Sequence, residues 1–337
     1  MRIEQFDPEA DEASVRACDA IYRAGAPADD PSAPPMSPRC FAGWLTWGWT
    51  EDPLEAWLAR DDAGLPSAWY TLALPERENR HTSALALVVH PSRRRAGLGT
   101  VLVGHAVDRA RHRGRSLLMA DTREGSPGSA FARALGAQQT ITEVRRVLEV
   151  NAALPAKLAT LRDTAEQGAQ GYSLLSWQGP VDAVWLADVT DLNAAAADMP
   201  RGAGRDEQRW DAQRVRLDER RVAAQGLRSY TVAARHTGTG HLAGLTQLAV
   251  DPAEPTWGFQ ELTVVARLHR GHHLGLLVKV AMLEMLAGRE PQLNRVMTGN
   301  ADQNQHMIAI NAALGFRVLD RWPSWELPST GVPRHQA

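Results

Sequence analysis

The sequence predicts an α/β protein, α+β in arrangement, made of two similar domains, and three observations carry that prediction. Its 337 residues exceed what one ordinary compact core encloses, so two domains of about 150 residues each are the default. Two distant segments, 82–122 and 260–300, follow one plan: a β-branched run, a basic turn, a glycine opening a helix, and a second apolar strand. Repetition of a whole supersecondary unit at that range reads as domain duplication, not as a solenoid.

The elements follow in order. Residues 11–24 and 37–49 read as helices, separated by a loop over 25–38 that is rich in proline and small residues. LEAWLARD and SAWYTLALP are strands around a turn at Gly64-Leu65-Pro66, and the first repeated unit comes next. A β-rich stretch ends near Val150, and LPAKLATLRDTAEQGAQG is a linking helix. The second half repeats the scheme, with helical stretches over 181–198 and 207–225 and strands YTVAARH and HLAGLTQLAV around Gly238 and Gly240. In its repeated unit Leu274, Leu277, Val278, Ala281, Met282 and Met285 form one stripe at helical spacing. The domains are therefore 1–150 and 171–330, joined by a helix over 151–170 and followed by a tail over 331–337.

Composition excludes several classes. Hydrophobic residues at 44% and charged residues at 23% are a globular balance. A net charge of −2 calls for neither nucleic acid nor an acidic membrane. The start, MRIEQFDPEADEAS, is no signal peptide, and no apolar run approaches the ~20 residues of a membrane span. Two cysteines, Cys18 and Cys40, build no disulfide framework and carry no nucleophile signature, so a cytoplasmic setting is expected. Only two lysines, Lys157 and Lys279, stand among 37 basic residues, which reads as codon bias.

The chemistry lies in HPSRRRAGLGT, residues 90–100, where Gly97 and Gly99 stand at the mouth of a helix. A helix N-terminus leaves four amides without partners and carries about half a positive charge. Glycine there lets phosphate oxygens reach the backbone. Seven arginines and one acid, Asp108, between Pro91 and Arg115 add positive potential.

Arg94-x-x-Gly97-x-Gly99 resembles the Arg/Gln-x-x-Gly-x-Gly/Ala signature of the GNAT-type N-acetyltransferases, and the resemblance spans both halves. It is most similar to the tandem-domain bacterial members, with an architecture like that of mycothiol synthase. The resemblance implies, in each half, a mixed, mostly antiparallel twisted sheet flanked by helices, with a splayed central strand pair. It implies acetyl-CoA as cofactor, its pyrophosphate held by Arg94, Arg95, Ala96, Gly97, Leu98, Gly99 and Thr100 and its pantetheine arm by the backbone of Leu87, Val88 and Val89. It implies a soluble enzyme, monomer or homodimer, acting on a small-molecule amine, with no metal.

The second copy departs from the signature. Arg270-Gly271-His272-His273-Leu274-Gly275 puts His273 where the first glycine should stand, so either the imidazole crowds the phosphate or the loop takes a variant shape aided by Gly271. His269, His272 and His273 fit no standard metal spacing. Thr263, Val264 and Val265 correspond to the pantetheine strand. TGNADQNQHMIAINAALGF, which contains Asn300, resembles the family's later motif. Asn304 matches its cofactor-contacting Asn, but Asn311 stands at the position of the Tyr that acts as acid. In the first half those two positions hold Gly125 and Ala132.

An amine with a pKa near 10.4 is neutral about once in 2,500 molecules at pH 7, a cost of roughly 4.6 kcal/mol. A general base answers that cost. Glu261 opens the strand QELTVVA, nine residues before Arg270, where family members carry a Glu. Leu85 aligns with it in the first half, where His81 is the other base candidate. A strand amide near Val89 or Val265 would hold the oxyanion. Phe41, Trp44, Trp47, Trp49 and Trp57 fall in the first-half region that lines the acceptor pocket in the family, as core packing or as a pocket wall. The leading expectation is one catalytic and one degenerate domain, with the chemistry in the second half. The alternatives are a CoA sensor or scaffold without turnover, a longer acyl-CoA, or a hydroxyl acceptor.

Overall fold

A computed structural model describes residues 1–48, 50, 52–198 and 205–329. Trp49 and the tail beyond 330 lie outside them. The first half runs β1 (Arg2–Phe6), α1 (Glu12–Asp29), α2 (Pro38–Trp47), β2 (Leu54–Arg60), β3 (Pro66–Ala73), β4 (Thr82–Val89), α3 (Leu98–His112), β5 (Leu117–Asp121), α4 (Pro127–Ala134) and β6 (Gln138–Glu149). After α5 (Leu154–Gly168) come β7 (Tyr172–Gln178), α6 (Leu186–Ala195), α7 (Ala212–Ala224), β8 (Arg228–His236), β9 (Leu242–Val250), β10 (Trp257–Val265), α8 (Leu274–Arg289), β11 (Arg295–Ala301), α9 (Gln305–Leu314) and β12 (Arg317–Pro328).

Helix starts carry the expected caps: Asp11 accepts from the Ser14 amide, Ser37 from Cys40 with Pro38 at the first position, and Asp211 from Arg214. The loop expected from residue 25 begins later. α1 runs through Pro27 to Asp29, because a proline within three residues of the C-terminus removes one hydrogen bond without stopping the last turn. Edge strands β1 and β7 add to the elements read from the sequence.

All strands join one sheet, in the order β1-β2-β3-β4-β5-β12-β6-β11-β10-β9-β8-β7. The order shows an exchange between halves. β6, from the first half, lies between β12 and β11, while β12, the last strand, lies between β5 and β6. Among the described residues two strand pairs are parallel, β4 with β5 and β10 with β11. Each half buries one core under α3 or α8 and another, on the opposite face, under α1–α2 or α6–α7. A buried pair, Arg214 to Glu78 at 3.0 Å, and reciprocal bonds in which the Asn79 and Asp206 amides each donate to the other's side-chain oxygen fasten α7 and its approach to the first half.

Lys279, in the middle of α8, is 1% exposed, with Nζ 5.4 Å from the Phe316 ring centroid. Burial pushes its ammonium down to about 7. A base with a lowered folded-state pKa binds fewer protons folded than unfolded between pH ~7 and ~10.5, so stability should rise with pH across that window. Lys279→Met should remove the rise and stabilise the protein at pH 7 by on the order of 3 kcal/mol. Urea unfolding at pH 7 and 9 reads both effects, and a less stable Met variant would refute the account.

Candidate functional site

Both parallel pairs open into a V. β4 and β5 pair only from Thr82–Leu117 to Ala84–Met119, and β10 and β11 only from Trp257–Arg295 to Gln260–Thr298. Beyond these points the strands diverge and leave backbone groups facing a cleft. Leu87, Val88 and Val89 line one side of the first V, and Thr263, Val264 and Val265 one side of the second.

At the end of each diverging strand stands a loop of the same shape. Arg95 (φ 63°) and Gly97 (φ 82°) take left-handed conformations in the first, Gly271 (φ 86°) and His273 (φ 57°) in the second. The second loop is therefore no variant shape. It has the same two left-handed positions with the glycine moved from one to the other, and His273 bears the strain that Arg95 bears in the first. The imidazole of His273 lies against α5, with Nδ1 3.4 Å from the Thr164 carbonyl oxygen.

The motif arginines serve the loops structurally. Arg94 Nε donates to the Val89 carbonyl at 3.0 Å, its guanidinium forks onto Asp29 at 2.8 and 2.6 Å, and Arg270 Nε repeats the first bond to Val265 at 3.3 Å. Among the described residues no side chain caps α3 or α8, and no hydrogen bond engages the amides of residues 95–100 or 271–275. Ala96, Leu98, Gly99 and Thr100 in one loop, and His272, Leu274 and Gly275 in the other, thus keep free donors at a helix N-terminus. A side chain added at Gly97 or Gly271 would meet nothing within 4 Å, so both cradles are open.

The halves differ at the apex of the V. Glu261 is the first residue of β10 past its pairing with β11, and it sits in a bulge between Gln260 and Thr263. Gln260 braces the bulge by donating to Thr246 Oγ1 at 2.8 Å. Glu261 faces a cavity of about 540 Å³ beneath α6 and α7, whose walls include Trp177, Trp210, Asp218, Arg221 and Gln247. Its carboxylate is open to the cavity and otherwise surrounded by protein. Desolvation raises its pKa above the usual carboxylate value; Arg221 opposes the shift, while Asp218 and Glu143 reinforce it. Glu143, on the exchanged strand β6, lies over Gly299, where a Cβ would overlap its carboxylate.

Leu85 occupies the apex of the first V and packs toward α3. On the opposite face Phe41, Trp44 and Trp69 are buried against one another, with Trp44 and Trp69 centroids 5.6 Å apart, over Ala86 and Val88. Trp44 is therefore core, Trp47 is half-buried beside it, and Trp57 is on the other face, stacked on Tyr70. His81 stands about 13 Å along the strand from Leu85, exposed at the closed end of the V, and its carbonyl takes the amides of Ser116 and Leu117. The structure does not bring it into the cleft.

The acetyltransferase (GNAT) family model matches residues 19–137. A solved tandem GNAT protein from the clavulanic acid biosynthesis pathway is 31% identical, covers 97% of this chain and 98% of its own, and superposes with a TM-score of 0.79. The chain belongs to the GNAT acetyltransferase family. A GCN5-related N-acetyltransferase from Sphaerobacter thermophilus (15% identical, 97% and 95% covered, TM-score 0.65) shares the fold. So does a fungal glucosamine N-acetyltransferase region (13%, 97% and 38%, TM-score 0.62). No curated protein matches the sequence.

This tandem GNAT protein is thus an acyltransferase of two GNAT-like domains, in a family that uses acetyl-CoA. Both orphaned cradles fit a nucleotide diphosphate. The later motif turns inward: Asn304 caps α9 by accepting from the Met307 amide at 3.2 Å, and the Asn311 amide group donates to Asn300 Oδ1 at 2.7 Å. Asn311 is fully buried and, among the described residues, its Oδ1 has no hydrogen-bond partner. His269 accepts or donates at 2.8 Å to the Tyr172 hydroxyl beside His236 and His272; among the described residues no group of three or more such side chains could hold a metal. No described helix is long and apolar enough to cross a membrane.

Sequence reasoning missed Asp218, Arg221, Glu143, Trp177 and Trp210. The only advance signal was the i, i+3 acid–base spacing of Asp218 and Arg221 on α7.

Proposed function

We propose that the second half transfers an acetyl group from acetyl-CoA to the amine of a small molecule bound in the 540 Å³ cavity, with Glu261 as general base. The observation that carries this reading is the contrast at the two apices: a carboxylate facing a cavity in one, and in the other a leucine packed toward α3 with a filled aromatic core on the opposite face. Acetyl-CoA supplies the activated acyl group as a thioester. The amides of 271–275 would hold its pyrophosphate, the backbone of Thr263–Val265 would align its arm, and a β10 amide near Val265 would take the developing oxyanion. Glu261, directly or through one water, takes the proton that the attacking ammonium must lose. The first half keeps a CoA cradle at 95–100 beside a leucine apex and a packed aromatic core, a holding and structural role.

Paired loop variants test the assignment. A carboxylate beside pyrophosphate opposes a charge-assisted hydrogen bond worth about 1.5–3 kcal/mol. Gly271→Asp should therefore raise KM for acetyl-CoA more than tenfold. Gly97→Asp should remove one of two CoA sites in calorimetric titration while turnover persists. Loss of turnover in Gly97→Asp alone would move the chemistry to the first half.

A further inference from the structure

The cavity beside Glu261 holds more charge than an amine needs. Most of its acids are already engaged: Asp218 by Arg221 at 2.8 Å, Glu219 by Arg216 and the Val181 amide at 2.7 Å each, and Asp206 by the Asn79 amide at 2.7 Å. Three charged side chains remain in the lining: Glu261, Glu326 and Arg205. Among the described residues Arg205 makes no hydrogen bond or ion pair, although it is half-buried and desolvated. Its charged neighbours are Glu326 and Asp121, felt through space, and Asp121 already accepts from Ser324 Oγ. A guanidinium taken partly out of water without a contact partner presents five donors in a planar fork that matches a carboxylate.

Resting on the reading of the second half as catalytic, we infer that its acceptor is an amino-carboxylate whose amine meets Glu261 and whose carboxylate is gripped by Arg205. Trp177, Trp210 and Leu262 wall the same cavity, and its volume suits a body larger than a bare amino acid. A plain amine would leave Arg205 without a contact partner for its fork of donors. A substrate carboxylate completes its hydrogen bonds, with Glu326 as a neighbouring charge felt through space.

The test uses the full-length protein with matched acceptors that differ only in the carboxylate, phenylalanine against phenethylamine and lysine against cadaverine, read by thiol release from acetyl-CoA. The carboxylate-bearing member of each pair is expected to have at least tenfold higher kcat/KM. Arg205→Met should erase that preference through KM with kcat retained, and Arg205→Lys, which keeps the charge and loses the fork, should fall between, both folding as judged by thermal melts. Preference for the decarboxylated amine, an equal effect of Arg205→Met on both members, or no thiol release with either amino acid overturns the inference. Glu261→Gln separates the two levels. If it silences plain amines while the carboxylate makes no difference, only the Arg205 inference fails; if amines turn over unaffected by Glu261→Gln, the catalytic reading fails.

Discussion

Glu261→Gln should lower turnover of amine acceptors by about 10²- to 10⁴-fold near pH 7, the range that a positioned general base contributes. The amide has the shape of the carboxylate but cannot take a proton. The bulge between Gln260 and Thr263, braced through Thr246, keeps the side chain at the apex of the V, so the substitution changes chemistry and leaves position intact. The loss should depend on pH in a defined direction. An acceptor amine is mostly protonated at pH 7 and needs about 4.6 kcal/mol of deprotonation, a need that vanishes as pH approaches its own pKa. The deficit of the variant therefore shrinks at high pH. In the unaltered enzyme Glu261 must be ionised to act, and desolvation raises its pKa. Activity should thus fall with decreasing pH through a midpoint above that of an ordinary carboxylate, and this acidic limb should disappear in Glu261→Gln. Affinity for acetyl-CoA, measured by titration, should not change. A loss of equal size at every pH would mean that Glu261 shapes the site without carrying a proton.

What the sequence showed in advance was local. The left-handed loops, the helix mouths behind them and the apex carboxylate all follow from short-range patterns, since a glycine–helix junction and a strand-end Glu are fixed by neighbours a few residues away. Even so, the His273 loop read as a departure, because sequence shows which residue is glycine and not that two left-handed positions can divide the work of one. The cavity proposed for the acceptor was not legible for a physical reason. Its walls come from α7, from β6 and β12, and from Asn79 of the other half, so the cavity exists only after elements far apart in sequence have packed. Trp57 and Trp44 show the same limit within one half. Both belong to an aromatic-rich stretch, but strand alternation in β2 sends Trp57 to the α3 face while α2 buries Trp44 on the other.

Cutting the chain between α5 and β6, at residue 152, should leave neither fragment able to fold cooperatively alone. The sheet order gives the reason. β6 has β12 on one side and β11 on the other, and both belong to the second fragment; β12 has β5 and β6, and both belong to the first. Each fragment therefore holds a 12-residue strand with no sheet partner left. Each ladder hydrogen bond is worth about 1 kcal/mol net, and an unpaired edge also invites aggregation. The lost contacts reach the site as well, because Glu143 on β6 helps to keep Glu261 basic and Glu78 holds Arg214 on α7. Co-expressed fragments should reassemble and recover thiol release, whereas separately purified ones should give broad, non-cooperative urea transitions and no activity. Cooperative unfolding of the isolated 153–337 fragment with full turnover would show that the exchanged strand is dispensable, and that the second half makes its acceptor cavity without help from the first.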